Sequence, residues 1–214
     1  MTNQSGIVGA ILAGGRSSRM GGNEKAFLEL AGQPLIQIAL ERLRPQAETV
    51  IVNANGDPAR MKILEVPVQK DVFTGFAGPL AGVHASMHWT KQNRPHATHI
   101  CTIAADTPFF PNDLVVKLEE NADTPDTIVL AASNGFRHPV FGLWPVSLIK
   151  NLEDFLETGD TGKVMAFVKQ HDWKETNFDH RDIDAVSIDP FFNINTPDEL
   201  EMARQFQEQI DIHA

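Results

Sequence analysis

Short apolar runs alternate along the chain with stretches whose apolar residues recur every three to four positions. Residues 7–13 are apolar without alternation, the pattern of a strand buried on both faces, and Gly14-Gly15 ends them. Residues 49–52, 66–69 and 98–105 read as further strands, stopped by Asn53-Ala54-Asn55-Gly56 in the first case and by Asp106-Thr107-Pro108 in the last. Residues 127–132 and 139–144 are two more, joined by the turn-like Ser133-Asn134-Gly135. Between them lie helices. Leu35, Ile38, Ala39 and Leu43 mark an apolar stripe ended by Pro45, and residues 80–89 form a second helical stretch. Leu114, Val115 and Leu118 mark a third, with Asn112 or Asp113 placed to cap it, and residues 148–157 and 164–170 follow. The last helix opens on Thr196-Pro197-Asp198-Glu199: a capping Thr, Pro at the first helical position and Glu at the third. Leu200, Ala203 and Phe206 give its buried face.

Strand-helix alternation of this kind predicts an α/β fold with a mostly parallel sheet. No repeat, low-complexity run or long Pro/Gly linker interrupts it, so residues 1–214 are expected to form a single domain. In such sheets ligands bind outside the carboxyl ends of the strands. Three predicted strand ends carry polar or glycine clusters there: Gly14-Gly15, Asn53-Ala54-Asn55 and Asp106.

Charge narrows the picture. The chain has 18 Lys+Arg and 28 Asp+Glu, a net charge of −10, which disfavours coating of nucleic acid or of an anionic membrane. Cys101 is the only cysteine and sits inside an apolar run, so it reads as a buried strand residue in a protein of a reducing compartment. The N-terminus has no basic region, and the apolar run behind it is far shorter than a membrane span; a cytoplasmic location is expected. Eight histidines show no zinc spacing: His84 and His88 share a helix face without the Glu of a metalloprotease motif, and read as ordinary surface residues.

The segment from Leu12 to Lys25 carries the most chemistry. Two glycine pairs leave backbone N–H groups free to face an anion, and Arg16, Arg19 and Lys25 lie between or after them, a composition suited to a polyphosphate. It contains neither G-x-G-x-x-G nor G-x-x-x-x-G-K-[ST], so it is neither the dinucleotide fingerprint nor a P-loop. Asp106, at the end of an apolar strand, is a rigidly placed carboxylate for a hard cation. Asp71 and Asn53 suit base or ribose recognition, since a carboxylate accepts from the N1–H and amine edge of guanine.

Leu12-Ala13-Gly14-Gly15, Arg19-Met20-Gly21 and Lys25 resemble the signature of Rossmann-like nucleotidyltransferases. Asp71 before Gly78-Pro79-Leu80-Ala81-Gly82, Asp106-Thr107-Pro108, His138-Pro139, Val164-Met165-Ala166-Phe167 and Asn193-Ile194-Asn195-Thr196-Pro197 extend the resemblance over nearly the whole chain. Within that group it is similar to the bacterial molybdenum cofactor guanylyltransferases, the MobA-like family. Two departures stand out: Glu24 replaces the usual Asp before the lysine, and Lys163 stands alone where an arginine pair is usual.

The resemblance implies a three-layer Rossmann-like nucleotidyltransferase fold and a transfer of GMP from GTP to the phosphate of molybdopterin, with Mg²⁺ bound by Asp106. It maps nucleotide contacts onto Leu12, Ala13, Gly14, Lys25, Asn53, Asp71 and Asp106, with Gly78 near the base, and catalytic roles onto Arg19, Lys25 and Asp106. Asn193 and Asn195 fall on the pterin side, and Arg137, His138 and Lys163 are lesser candidates for the acceptor phosphate. Partners beyond GTP and molybdopterin would be molybdenum-insertion proteins and acceptor molybdoenzymes or their chaperones, met by a monomer or weak oligomer. The alternatives are a cytidylyltransferase for the same pterin, a sugar-phosphate nucleotidyltransferase, and a nucleotide-binding protein without catalysis.

Overall fold

The computed structural model describes residues 6–13, 25–73, 78–158, 163–184 and 186–212. Its centre is a seven-stranded sheet formed by β1 (Ile7–Leu12), β4 (Thr49–Asn53), β5 (Val68–Gln69), β6 (His99–Ala104), β7 (Ile128–Ser133), β8 (Phe136–Pro145) and β9 (Trp173–Asn177), in the order β5-β4-β1-β6-β8-β7-β9. Two small hairpins stand outside it: β2 (Glu29–Leu30) with β3 (Gln33–Pro34), and β10 (Arg181–Ile183) with β11 (Val186–Ile188). Every pairing in the large sheet is parallel except the two made by β8. The exception has a local cause. Asn134 and Gly135 both take positive φ, 46° and 79°, the two-residue hairpin geometry that turns the chain straight back. Pro139 sits within β8 where the register against β7 slips between Leu130 and Ala131, so its missing N–H falls at an irregularity.

The double burial of the strands comes from helices on both faces. On one side α1 (Leu35–Leu43) and α4 (Leu114–Glu120) cover Ile7, Ile11, Val50, Val52, Cys101 and Ile103. On the other, α3 (Pro79–Asn93), α5 (Ile149–Thr158) and α6 (Val164–Val168) cover Val8, Ala10, Leu12, Ile51 and Ile100. Odd and even positions of β1 thus fill two separate cores, which is the three-layer arrangement. A short α2 (Pro58–Met61) follows β4. A third, smaller core joins Leu30, Leu35, Ile183, Ile188 and Ile194 to Leu200 and Ala203 of α7 (Pro197–Ile212). Ile38 belongs to this third core, which is why the stripe on α1 is wider than one face requires.

Helix starts follow the sequence signals unevenly. At α7 the Glu199 N–H donates to Thr196 Oγ1 (3.2 Å) and the Thr196 N–H to Glu199 Oε2 (2.9 Å), the reciprocal box. Asp113 holds the position before α4 but makes no capping bond; its carboxylate pairs with Lys117 (2.9 Å). Cys101 is fully buried, and burial pushes its thiol up to about 12, so it behaves as a small apolar core residue. His84 is not a surface residue: it is 3% exposed, edge-on to Phe73 (4.9 Å between centroids), because α3 is covered by α5 and the 71–73 segment as well as by the sheet. Among the described residues no helix is long and apolar enough to cross a membrane.

Candidate active site

The carboxyl ends of β1, β4, β5 and β6 converge. The Ala13 N–H donates to the Asn53 carbonyl (2.9 Å), the Ala54 N–H to the Gln69 carbonyl (3.0 Å) and the Ala105 N–H to the Leu12 carbonyl (3.3 Å), so the strand ends stay tied beyond the last ladder pair. Two groups of side chains stand on this edge.

The first surrounds Asp71. Its carboxylate accepts from Asn53 Nδ2 (2.8 Å) on one oxygen and from Asn55 Nδ2 (2.7 Å) on the other, and its N–H donates to Asn55 Oδ1 (2.9 Å). Asn53 is buried, and its second amide hydrogen goes to the Gln69 carbonyl (3.2 Å). Both its donors are therefore spent on the frame, and its side chain orients Asp71 rather than offering a free amide. Asn55 is the residue that sequence reasoning left in a turn. Its signal was its spacing: positions two apart in an extended segment share a face.

Helix α3 begins against this group. A Cβ on Gly82 would stand 2.5 Å from Asn53 Oδ1 and 3.1 Å from Leu12 Cδ2, so only glycine lets the helix approach this closely. Gly78 precedes Pro79 at the first helical position, and its extended backbone directs the helix start toward the strand ends.

The second group surrounds Asp106. Lys25 Nζ lies 3.6 Å from Asp106 Oδ2 and donates to Asn195 Oδ1. The Ile194 N–H donates to the Asp106 carbonyl (3.0 Å), which clips the 193–195 segment to the end of β6. Three residues separated widely in sequence, Lys25, Asp106 and Asn195, thus meet at one point; Asn193 is exposed beside them. Burial pushes the Asp106 carboxyl above the usual carboxylate range, and the Lys25 ammonium offsets only part of that. Thr107 is buried next to it with its hydroxyl unpartnered. Gly14 and Arg19, with Arg16, lie outside the described residues.

The lesser acceptor candidates separate from one another. Arg137 is paired with Glu175 (2.5 Å) and lies over the Trp173 ring (5.3 Å). His138 instead stacks on Phe191 (4.4 Å) and contacts Ser133 Oγ (2.7 Å).

No group of three or more His, Cys, Asp or Glu side chains among the described residues forms a metal cage. One half-buried carboxylate beside a lysine does fit a hard cation that completes its shell with substrate oxygens.

A lysine-carboxylate pair, an amide-framed aspartate and a glycine-tight helix start thus gather at the carboxyl ends of parallel strands, where α/β sheets bind their ligands. The chain belongs to the MobA-like NTP transferase domain family, whose model matches residues 9–175. It is 44% identical to the molybdenum cofactor guanylyltransferase of Rhizobium johnstonii, over 97% of this chain and 96% of that one. It is 42% identical to the molybdenum cofactor guanylyltransferase of Mesorhizobium japonicum, over 92% and 94%. Among solved structures it superposes on molybdopterin-guanine dinucleotide biosynthesis protein A from Archaeoglobus fulgidus with a TM-score of 0.71, at 23% identity, over 94% of this chain and 99% of that one.

Proposed function

We propose that this enzyme transfers GMP from GTP to the terminal phosphate of molybdopterin, releasing pyrophosphate and leaving a guanine dinucleotide form of the pterin. The observation that carries it is the meeting of Lys25, Asp106 and Asn195 at the end of β6, with β1 between it and the Asp71 frame at the ends of β4 and β5. Close similarity to guanylyltransferases along nearly the full length supports the substrates.

Asp71, held by Asn53 and Asn55, keeps a lone pair on each oxygen for the N1–H and amine of guanine. Leu12, Ala13 and Gly78 line the approach to it, and Gly14, next in the chain, joins them as a nucleotide contact in this reading. Lys25 and Arg19 hold the β- and γ-phosphates and neutralise the charge that grows on the departing pyrophosphate. The acceptor is a phosphate, already ionised at neutral pH, so no protein base is needed; positioning and charge neutralisation carry the catalysis. Asp106 would hold Mg²⁺, which when bound would supply positive charge to offset the charge of the reacting phosphates. Asn193 and Asn195 stand on the acceptor side of Asp106, and Asn195 also fixes Lys25. Residues 1–214 act as one catalytic unit in the cytoplasm.

Incubating the purified protein with molybdopterin, Mg²⁺ and each nucleoside triphosphate in turn tests the reading, with pyrophosphate and dinucleotide product measured. GTP is expected to give product at a rate well above CTP; product from CTP and not from GTP would overturn it.

A further inference from the structure

The end of β7 carries a polar knot that the transfer chemistry above does not use. Ser133 is fully buried, and its hydroxyl donates to Asp189 Oδ1 (2.9 Å). A hydroxyl has one proton to give. The contact of 2.7 Å between Ser133 Oγ and His138 Nε2 therefore runs the other way, with the ring donating. That fixes the tautomer: Nε2 carries the hydrogen, and Nδ1 is the nitrogen left to meet a ligand. Asp189 is itself held, accepting from the Phe191 N–H (2.9 Å), and the Phe191 ring stacks on the imidazole at 4.4 Å. The ring is thus held at one edge and over one face.

Its place in the fold is equally determined. The slip between β7 and β8 falls immediately before the Ala131–His138 pair, and a bulge of this kind re-aims the side chains beside it. Phe191 stands three residues before Ile194, whose N–H is bonded to the Asp106 carbonyl. The imidazole therefore stands on the Asp106 side that faces away from Asp71, across β6 from the nucleotide half.

We propose that His138, oriented by Asp189 through Ser133, is a recognition residue for the acceptor's heterocycle, accepting a hydrogen bond from a ring N–H or amine at Nδ1 rather than binding its phosphate. The proposal rests on the acceptor being a pterin. Two facts favour a donor ligand over an anion. Burial holds the imidazole below its usual range, which keeps Nδ1 a lone pair at neutral pH. The one charged group that bears on the imidazole is the Asp189 carboxylate, and the neighbouring cation, Arg137, is committed to Glu175. A lone pair beside a carboxylate repels phosphate oxygens and attracts N–H groups.

The test separates KM for molybdopterin from KM for GTP in His138→Gln, Ser133→Ala and Asp189→Asn, with melting temperature and binding of a fluorescent GTP analogue as controls. Loss of one neutral hydrogen bond predicts an acceptor KM raised about five- to tenfold, with GTP binding within about twofold of wild type. Nitrogen-15 imidazole spectra of the wild type give a readout independent of turnover. They should show His138 protonated at Nε2 only, with Nδ1 shifting when molybdopterin is added, and Ser133→Ala should lose that single tautomer. An unchanged acceptor KM in His138→Gln, an equal rise in both KM values, or a hydrogen on Nδ1 at neutral pH would overturn the proposal. Wild-type protein that makes no dinucleotide from molybdopterin and GTP would instead sink the substrate assignment, while the tautomer spectrum would still report on the relay.

Discussion

The pair of Lys25 and Asp106 shows how a single site residue is bought at the expense of the free protein. The carboxyl of Asp106 has a folded-state pKa raised by burial, so its contribution to stability is present when it is protonated and is lost as pH rises through that raised value. Once ionised, the carboxylate is a net cost in the unliganded protein. Asp106→Asn should therefore melt no lower than wild type, while turnover falls on the order of 100-fold, the scale of one lost transition-state partner. Lys25→Ala should lose activity to a similar extent but melt lower, because it leaves the carboxylate without its cation. Combining the two should restore the melting temperature and not the activity. Scanning calorimetry beside a pyrophosphate-release assay checks all three, and a double mutant that melts as low as Lys25→Ala would refute the electrostatic account. Both residues were legible in the sequence. Their meeting with Asn195 was not, because it depends on how the 193–195 segment is clipped to β6 by the Ile194 N–H, a backbone bond that no side-chain pattern announces.

At the level of elements, the strands of the large sheet were readable wherever burial on both faces made them continuously apolar. β9 was not: Trp173-Lys174-Glu175-Thr176-Asn177 is an edge strand, polar because one side of it meets water. The β2–β3 and β10–β11 hairpins are two or three residues long per strand, too short to carry a period. Helix α3 was readable as a helix but not as a buried one, and two predictions follow its burial. Gly82→Ala places a methyl 2.5 Å from Asn53 Oδ1, so Asn53 must turn and release Asp71; the GTP KM should rise about tenfold, the value of one such bond, with the fold retained. An unaffected GTP KM would show that Asp71 does not need its amide frame. His84, on the outer face of the same helix, is pulled below its usual pKa by burial, with Glu153 opposing and His88 reinforcing. A depressed histidine contributes stability that is complete above its unfolded value of about 6.5 and falls away as pH drops below it. The urea midpoint should accordingly decline between pH 7.5 and 5.5. His84→Leu should flatten that decline without removing it, since His99 and His138 are shifted in the same direction. A slope identical to wild type in His84→Leu would show that this histidine does not drive the acid sensitivity.

For the whole molecule, the net charge and the charge of the glycine-rich segment have opposite signs. Residues 14–25 contain Arg16, Arg19 and Lys25 against Glu24, a local +2, so the remainder of the chain carries −12 of the −10 total. The acidic remainder includes groups close to the phosphate end of the site: Glu199 lies near enough to Asp106 to oppose its ionisation. An anionic nucleotide therefore approaches through an unfavourable field, which Lys25 opposes. Lys25 is already shared between Asp106 and Asn195, which limits how much of its charge a triphosphate meets. A divalent cation arriving with the nucleotide changes this balance, since it cancels two phosphate charges and turns Asp106 from a repelling group into a ligand. GTP affinity should consequently depend on metal more steeply than in a site lined by several unshared cations. Calorimetric titration of GTP in Mg²⁺ and in EDTA should differ by tenfold or more, a gap of about 1.4 kcal/mol. Asp106→Asn should shrink that gap by weakening binding in Mg²⁺ and improving it in EDTA. The crossing of the two effects is the decisive feature, because a variant that merely damaged the pocket would weaken binding in both buffers.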